Sequence, residues 1–472
     1  MKEVEEKVRH NCGIAVAHSL EELYNLLRYL QHRGREAAGI AGIGETIDVI
    51  KWIGKVERFD LIDLEKILPG NKFHTFIGHV RYATLGAKSK LLEDAHPHVV
   101  GGTEDFRGDH IIIKNCDSVI IHNGQVNDTE IIKLANGGCD SFGLLKYYKK
   151  HGEVELIKNI IGAYTLVIAN KDSDELIIMR DRLGIRPGVI GVKNEKHVFA
   201  SEDIAIRRSH MTVIANMEPG TIYYLANNGN IRKNHIISAN SKMCFFENNY
   251  IGHVDSVLNN IPNKRLRNEL GRELYKEFPF NDADIITYLP RCPEPAARTY
   301  AEVSNKRFLP VFYKISAERA FQGSNSTDRQ NSIIKNLHLL PDMENQLKNK
   351  IVVLIDDSTI RGNNVAHAIE LLKNAGVKKI YHLNYTPKVG PVGKDGTLHG
   401  CIYGVDMPPE DNFVVRKNVN GKITNRTNEE ICKATNTNTY FLSYEGLLNC
   451  FEKCGLPKEH LCTFCIGGKK PF

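Results

Sequence analysis

The chain has 472 residues, 42% apolar and 25% charged, with 38 Gly, 17 Pro and a formal net charge of +6. That length implies two or three domains with real cores, and the mild charge, without a dense Lys/Arg block, argues against a nucleic acid partner while leaving anionic small molecules open. No apolar stretch approaches the ~18 residues of a membrane span, and residues 1–11, with Lys2, Glu3, Glu5, Glu6, Lys7 and Arg9, lack the hydrophobic segment of a secretory signal, so a cytoplasmic protein without a membrane anchor is expected.

Cys12, in "VRHNCGIAVAHS", precedes the first apolar run. It is either a small buried hydrophobe opening a strand or, if residues 1–11 are removed, a nucleophile at a chain terminus. "SLEELYNLLRYLQHRG" reads as a helix, with Ser19 and Glu22 as a capping box, Leu20, Leu23, Leu27 and Leu30 as its apolar face, and Gly34 as its stop. "SVIIHNG" reads as a strand running into a tight loop, "DTEIIKLANGG" as a helix, and "GAYTLVIANKDSDELIIMRD" as a β-hairpin. Strand signals continue through "GVIGV", "HVFAS" and "TIYYL" to about residue 225. The polar, Asn-rich stretch 226–242 marks the expected domain junction. Beyond it strands and helices alternate, "ADIITYLP" with "EPAARTYAEVSN" and "KIVVLIDD" with "NVAHAIELLKNAG", as in a parallel α/β sheet. Residues 315–345 are polar and weakly periodic, which suggests a mobile functional loop.

In "IVVLIDDSTIRGNNVAHAIELL" an apolar strand ends at Asp356 and Asp357, and the loop from Ser358 to Asn364 enters a helix. Open α/β sheets bind ligands at strand carboxyl ends, and a helix N-terminus favours phosphate. Gly362 lets the backbone approach closely and Arg361 offers a cation. The carboxylates suit ribose hydroxyls or Mg²⁺. A plain helix cap is the alternative. An apolar strand followed by Asp-Asp-Ser, two residues and Arg-Gly resembles the phosphoribosyl-pyrophosphate (PRPP) motif of type I phosphoribosyltransferases.

In the first half, "CGIAVAHS", "LQHRGREAAGI", "GHVRYATLG", "IHNGQVND", "GCDSFGLL" and "RDRLGIRP" together resemble the class II glutamine amidotransferase domain, whose nucleophile is an N-terminal cysteine. Followed by a PRPP motif, the whole resembles the amidophosphoribosyltransferase family, from Cys12 to Phe472. The resemblance implies an αββα four-layer sandwich of the N-terminal-nucleophile hydrolase type at 12–235, after a propeptide at 1–11. It implies a type I phosphoribosyltransferase domain at 240–472. A free α-amine on Cys12 would serve as the base its thiol needs, a route an internal Cys12 lacks. Carried over, Asn123 and Gly124 form the oxyanion hole, Arg81 pairs with the glutamine α-carboxylate, Asp140 takes the α-ammonium, and Thr84 lies near the same pocket. His32 and Arg33 support the nucleophile loop or act directly. The implied reaction hydrolyses glutamine at Cys12 and passes ammonia to Mg²⁺-bound PRPP, giving 5-phosphoribosylamine, the first step of purine biosynthesis. Asp356 and Asp357 would hold the ribose and Mg²⁺, with Ser358, Arg361, Gly362, Asn363 and Asn364 at the 5′-phosphate.

Of eleven cysteines, six lie between Cys401 and Cys465. In a reduced compartment they point to metal or catalysis rather than disulfides. Cys462-x-x-Cys465 supplies two ligands of a metal site. One subset of the family binds a [4Fe–4S] cluster through four cysteines, matched here by Cys244, Cys401, Cys462 and Cys465. Zinc is the alternative, and Cys450 and Cys454, four residues apart, could enter it. The resemblance further implies a homo-oligomer, dimer or tetramer, with purine nucleotides as candidate inhibitors.

The second half also departs from the family. Asn363 and Asn364 replace two threonines. Arg291, Cys292 and Pro293 stand in the pyrophosphate loop, where Arg291 replaces an acid, Cys292 a serine, and Pro293 removes a donor. In the polar loop Arg319, Phe321 and Lys335 fit, while Ile333 replaces an arginine. Two rival readings follow: a diverged amidotransferase whose ammonia acceptor is not PRPP, and a PRPP-sensing DNA-binding regulator, for which no basic helix–turn–helix is present.

Overall fold

The computed structural model describes residues 12–82, 91–238, 241–315, 336–405 and 407–472. Its first half is built on a 13-stranded antiparallel sheet: β1 (Gly13–Ala17), β2 (Ala37–Gly44), β3 (Ile47–Ile53), β4 (Phe73–Arg81), β5 (His98–Phe106), β6 (His110–Gln125), β7 (Ala163–Asn170), β8 (Glu175–Arg180), β9 (Val189–Lys193), β10 (Lys196–Ala200), β11 (Thr212–Asn216), β12 (Thr221–Ala226) and β13 (Ile231–His235). The order is β11-β9-β10-β1-β4-β2-β3-β6-β7-β8-β12-β13, with β5 added on β6. The 16-residue β6 pairs with β3 near its start and with β7 from Ser118 to Gln125, so the sheet folds over on itself without a break.

Side-chain alternation sorts the layers, because successive strand residues face opposite sides. Ala15 and Ala17 of β1 pack under α1 (Leu20–Tyr29), together with α2 (Leu61–Ile67) and α5 (Asp203–Arg208). Ile14 and Val16 turn the other way, into an apolar layer with Val167 and Ala169 of β7. Leu166 and Ile168 of β7 then face α3 (Thr129–Ala135) and α4 (Asp140–Asn159). This is the expected αββα sandwich.

Two local expectations are revised. The helix α1 ends at Tyr29 with Leu30 as its C-cap, so Gly34 is not its stop. Gly34 instead lies against Arg81, whose carbonyl carbon would be 2.3 Å from any added Cβ. Ser19 accepts from the Glu22 amide at 3.2 Å, while Glu22 turns away to Lys193 at 3.2 Å, so half of the box pairs locally. The stretch 226–242 contains β13, an edge strand held by β12.

The second half begins with β14 (Met243–Cys244) and the hairpin β15 (Val257–Leu258) and β16 (Ile261–Pro262), followed by α6 (Asn263–Glu277). A five-stranded parallel sheet follows, from β17 (Ile285–Tyr288), β18 (Arg307–Phe308), β21 (Ile351–Asp356), β22 (Lys379–Asn384) and β25 (Asn438–Phe441), in the order β18-β17-β21-β22-β25. A ribbon of β19 (Phe312–Lys314) and β20 (Leu337–Leu339) occupies part of the segment read as a loop; residues 316–335 lie outside the description, Arg319, Phe321, Ile333 and Lys335 among them. The remaining elements are α7 (Glu294–Ser304), α8 (Met343–Leu347), α9 (Asn363–Asn374), the hairpin β23 (Arg416–Val419) and β24 (Lys422–Asn425), α10 (Asn428–Thr435), α11 (Tyr444–Lys453) and β26 (Leu461–Cys462). Both sheet faces are covered, which explains the near-continuous apolar strands. Ile285, Val352 and Leu354 pack with α9, and Ile286, Val353 and Ile355 with α6, α7 and α11. Among the described residues no helix is long and apolar enough to cross a membrane.

Candidate active sites

Cys12 is fully buried immediately before β1, whose Gly13 pairs with Val80 of β4. Burial pushes its thiol up to about 11, against the Tyr82 amide and the charges of Arg81, Arg33 and Arg186. A thiol so placed carries little thiolate near neutrality and needs a base. Arg33 donates from Nε to the Cys12 carbonyl at 2.8 Å and from Nη1 to Glu202 at 2.6 Å. Its role here is to hold the nucleophile's backbone. His32 bonds Glu202 at 2.8 Å and sits one step further from Cys12.

The residues expected to bind glutamine come from three elements. Arg81 ends β4, buried, its Nη1 donating to the Leu91 carbonyl at 2.9 Å and its Nη2 3.4 Å from Asp94. Its Nε has no partner among the described residues. Asn123 lies in β6, fully buried, and neither its Nδ2 nor its Oδ1 has a partner among the described residues. A buried amide left unpaired costs stability, which marks it as a group kept for a ligand. At Gly124 an added Cβ would stand 1.9 Å from the Ala163 carbonyl, so only glycine fits there. Asp140 opens α4 and accepts from the Val126 amide at 2.8 Å, which ties the helix to the end of β6. Thr84 lies outside the described residues.

The second site is a cavity of about 490 Å³ at the carboxyl ends of β17 and β21, roofed by the end of α1. Asp356, Asp357, Ser358 and Asn364 line it, with Leu289, Pro290, Arg291 and Cys292 opposite. Burial raises both carboxyls, and the charge of Asp356 raises Asp357 further. Against this pair stand cations from distant elements, Arg28, Arg35, Arg208, Arg267, Arg291 and Lys314, with His32 and His253. Burial lowers the Lys314 ammonium, opposed by Cys292, Asp356 and Asp357. A site of this composition suits a polyanion bound alongside a divalent cation. Arg361 is turned away from the cavity, its guanidinium held by Asp411 with Nε–Oδ1 at 3.2 Å. Gly362 takes φ +89° to start α9, and neither it nor Asn363 lines the cavity.

All four cysteines paired in sequence with a cluster meet in space. β14 and β26 run parallel with Cys244 opposite Cys462. Cys401 and Cys465 complete the lining of a cavity of about 20 Å³, among Ile185, Arg186, Phe246, Tyr403 and Met407. Burial pushes the Cys462 thiol up to about 12 and raises Cys244 and Cys465, and the charge of neighbouring cysteines raises each further. The Tyr403 and Val405 amides donate to Cys401 Sγ at 3.4 and 3.3 Å. No group of three or more His, Cys, Asp or Glu that could hold a metal ion occurs among the described residues, so the four sulfurs surround the cavity without converging on one ion. Cys450 and Cys454 are buried in the core around α11 and do not line this cavity.

Sequence reasoning passed over the groups joining these sites. Glu202 is fully buried and accepts from His32, Arg33, the His253 amide at 2.9 Å and Ser256 at 2.6 Å. Glu247 receives Arg33 at 3.0 Å and Arg186 at 2.8 Å, and Arg186 also donates to the Tyr403 carbonyl at 2.6 Å. Arg186 lies in the quoted "RDRLGIRP", so its stretch, though not its task, was visible.

The antiparallel sandwich with a buried cysteine before its first strand, followed by a parallel sheet with acids at a strand end, defines a two-site protein with a class II glutamine amidotransferase fold. A glutamine amidotransferase domain model matches residues 113–245. Over nearly its whole length the chain is similar to amidophosphoribosyltransferases. It is 28% identical to that of Synechocystis sp., covering 99% of this chain and 92% of the relative. It is 29% identical to that of Methanothermobacter thermautotrophicus, covering 99% and 96%. The solved glutamine PRPP amidotransferase of B. subtilis complexed with ADP and GMP shares the fold at a TM-score of 0.77 and 24% identity, covering 98% of this chain and 97% of that one. A solved allosteric regulatory enzyme of purine biosynthesis does so at 0.78 and 24%, covering 98% and 96%.

Proposed function

We propose that the chain is an amidophosphoribosyltransferase that hydrolyses glutamine at Cys12 and delivers ammonia to PRPP, yielding glutamate, pyrophosphate and 5-phosphoribosylamine. The observation that carries this reading is the pairing in one chain of a Cys12 pocket holding the unpartnered Asn123 amide with a cavity of about 490 Å³ where Asp356 and Asp357 face a ring of cations. Residues 12–235 would form the glutaminase domain and 240–472 the phosphoribosyltransferase domain, after removal of 1–11. That cleavage frees the Cys12 amine to take the thiol proton, which matters because burial has pushed the thiol up to about 11. Cys12 Sγ attacks the side-chain amide carbon, Asn123 Nδ2 and the Gly124 amide stabilise the oxyanion, and ammonia leaves as a thioester forms for water to hydrolyse. Arg81 and Asp140 orient the substrate's α-carboxylate and α-ammonium, and Thr84 borders the same pocket.

In the second site Asp356 and Asp357 would hold the ribose and Mg²⁺, which supplies charge for the departing pyrophosphate; two carboxyls raised by burial, Asp357 further by the charge of Asp356, fit a divalent cation. Arg267, Arg291 and Lys314 would take the pyrophosphate. Ser358 and Asn364, which line the cavity, would receive the 5′-phosphate, with the backbone of the Arg361–Gly362–Asn363 turn bringing Asn364 to it. Ammonia attacks C1, and the protein's contribution is positioning and charge.

Cys244, Cys401, Cys462 and Cys465 fit a [4Fe–4S] cluster, whose chemistry here would be structural. A four-iron cluster takes one cysteine per iron and hydrogen bonds to its sulfurs such as Tyr403 and Val405 give Cys401; zinc held by the same thiolates is the alternative. Purine nucleotides as inhibitors, a homo-oligomer and a cytoplasmic setting complete the proposal.

The test is pyrophosphate release from PRPP and Mg²⁺ by anaerobically purified protein, with glutamine or ammonium as donor. Turnover with both donors, and loss of only the glutamine-driven rate in Cys12→Ala, is the expected result. Glutamate without pyrophosphate overturns the PRPP assignment.

A further inference from the structure

Two of the three elements bearing the proposed glutamine ligands, β6 and α4, meet at one buried hydroxyl, and β4 joins them through His79. Ser141 is fully buried in the first turn of α4, next to Asp140. Its Oγ lies 2.8 Å from His96 Nε2, 2.9 Å from His122 Nδ1 and 3.4 Å from Asp140 Oδ1. His122 immediately precedes Asn123 and Gly124. Its carbonyl accepts from His79 Nε2 at 3.1 Å, and His79 lies two residues before Arg81 on β4. The His79 and His96 rings stack with centroids 4.0 Å apart.

One hydrogen assignment satisfies all three contacts of Oγ, the Ala163 backbone being a further partner of His122. A serine hydroxyl donates once and accepts twice, and a carboxylate only accepts. Ser141 therefore donates to Asp140 and accepts from both imidazoles, His96 through Nε2–H and His122 through Nδ1–H. The His122 carbonyl requires the hydrogen of His79 on Nε2. Burial lowers the basicity of His79 and His122, consistent with neutral rings in these tautomers.

Resting on the glutaminase reading above, we infer that Ser141 is a positioning residue of the glutamine site, clamping β4 (Arg81), β6 (Asn123 and Gly124) and α4 (Asp140) into one frame through His79, His96 and His122. It touches neither the thiol nor the substrate in this assignment. Without its hydroxyl, two buried imidazole N–H groups lose their acceptor, and the oxyanion donors and the α-ammonium ligand lose their common anchor.

The experiment measures glutamine-driven and ammonium-driven pyrophosphate release for the full-length protein, Ser141→Ala and Ser141→Thr. For Ser141→Ala the glutamine kcat/KM should fall about 10- to 100-fold, through both kcat and KM, with the ammonium-driven rate unchanged as internal proof of folding. Ser141→Thr, which keeps the hydroxyl, should recover most of the loss. If Ser141→Ala does not fold, His96→Phe keeps ring stacking, removes one donor to Oγ and should give the same split. Unchanged glutamine kinetics, or equal loss of both rates, overturns the inference. If the unaltered protein forms no glutamate from glutamine, the glutaminase reading itself falls.

Discussion

At the residue scale the clearest physical statement concerns Asn123. A fully buried side-chain amide with neither its nitrogen nor its oxygen paired among the described residues is costly unless a ligand completes it. The oxyanion assignment gives Nδ2 that ligand in the transition state. Asn123→Ala should therefore lower the glutamine-driven kcat by about 10²–10³-fold with little change in the ammonium-driven rate, read as glutamate and pyrophosphate formation. Gly124→Ala should do at least as much damage, because its Cβ has no room beside the Ala163 carbonyl. These positions were legible because they sit in short quoted motifs. Ser141 and His122 stand beside Asp140 and Asn123 in the same motifs, yet their bonds to each other and to His96 join residues tens of positions apart, and no spacing rule reveals them. The cations of the large cavity were hidden for the same reason: Arg28, Arg208, Arg267 and Lys314 come from four elements brought together only by the fold.

At the element scale, periodicity carried the reading well. Alternation located the strands, and the leucine face of α1 is buried at Leu20, Leu23, Leu27 and Leu30. The ends of elements were less legible, since tertiary partners compete for them: Glu22 leaves the capping box for Lys193, and Gly34 is fixed by its contact with Arg81 rather than by ending α1. Glu202 makes the same point. It occupies the N-cap position of α5, but its carboxylate makes no cap bond and instead gathers His32, Arg33, His253 and Ser256. Burial alone would raise this carboxyl; the charges of His32 and Arg33 and the bonds from His32 and Ser256 outweigh it and hold it well below 4.5. The folded state then binds fewer protons than the unfolded chain, so this stabilisation is complete above the ordinary glutamate range and is lost as pH falls through the folded value. Glu202→Gln should cost about 3–5 kcal/mol at pH 7 by leaving Arg33 undercompensated. It should also flatten the acid side of the stability curve, as read from urea midpoints taken from above pH 4.5 to well below it.

At the scale of the whole molecule, the two halves are joined by buried charge and by the chain terminus. Arg33 and Arg186 of the first half share Glu247 of the second, and β26 near the C-terminus pairs with β14 just past the junction. The β14–β26 pairing is only two residues long, too short to hold a terminus by backbone bonds alone. The pocket where it meets, lined by Cys244, Cys401, Cys462 and Cys465, is the natural fastening. A bound cluster would turn four thiols, of which burial raises Cys244, Cys462 and Cys465, into ligated thiolates, and its binding free energy would add to folding. Cys465→Ser should therefore lose most of the iron, lower the melting temperature, and expose residues 456–472 to proteolysis and hydrogen exchange before the rest of the fold opens. The glutamine-driven rate should decline more than the ammonium-driven rate, since Arg186 links this pocket to Glu247, which holds Arg33 and so the Cys12 backbone. Elemental analysis of the anaerobically purified protein checks the metal directly: about four irons and no stoichiometric zinc per chain is the expected result, while one zinc per chain, or a Cys465→Ser protein that melts and exchanges like its parent, would remove the cluster from this account.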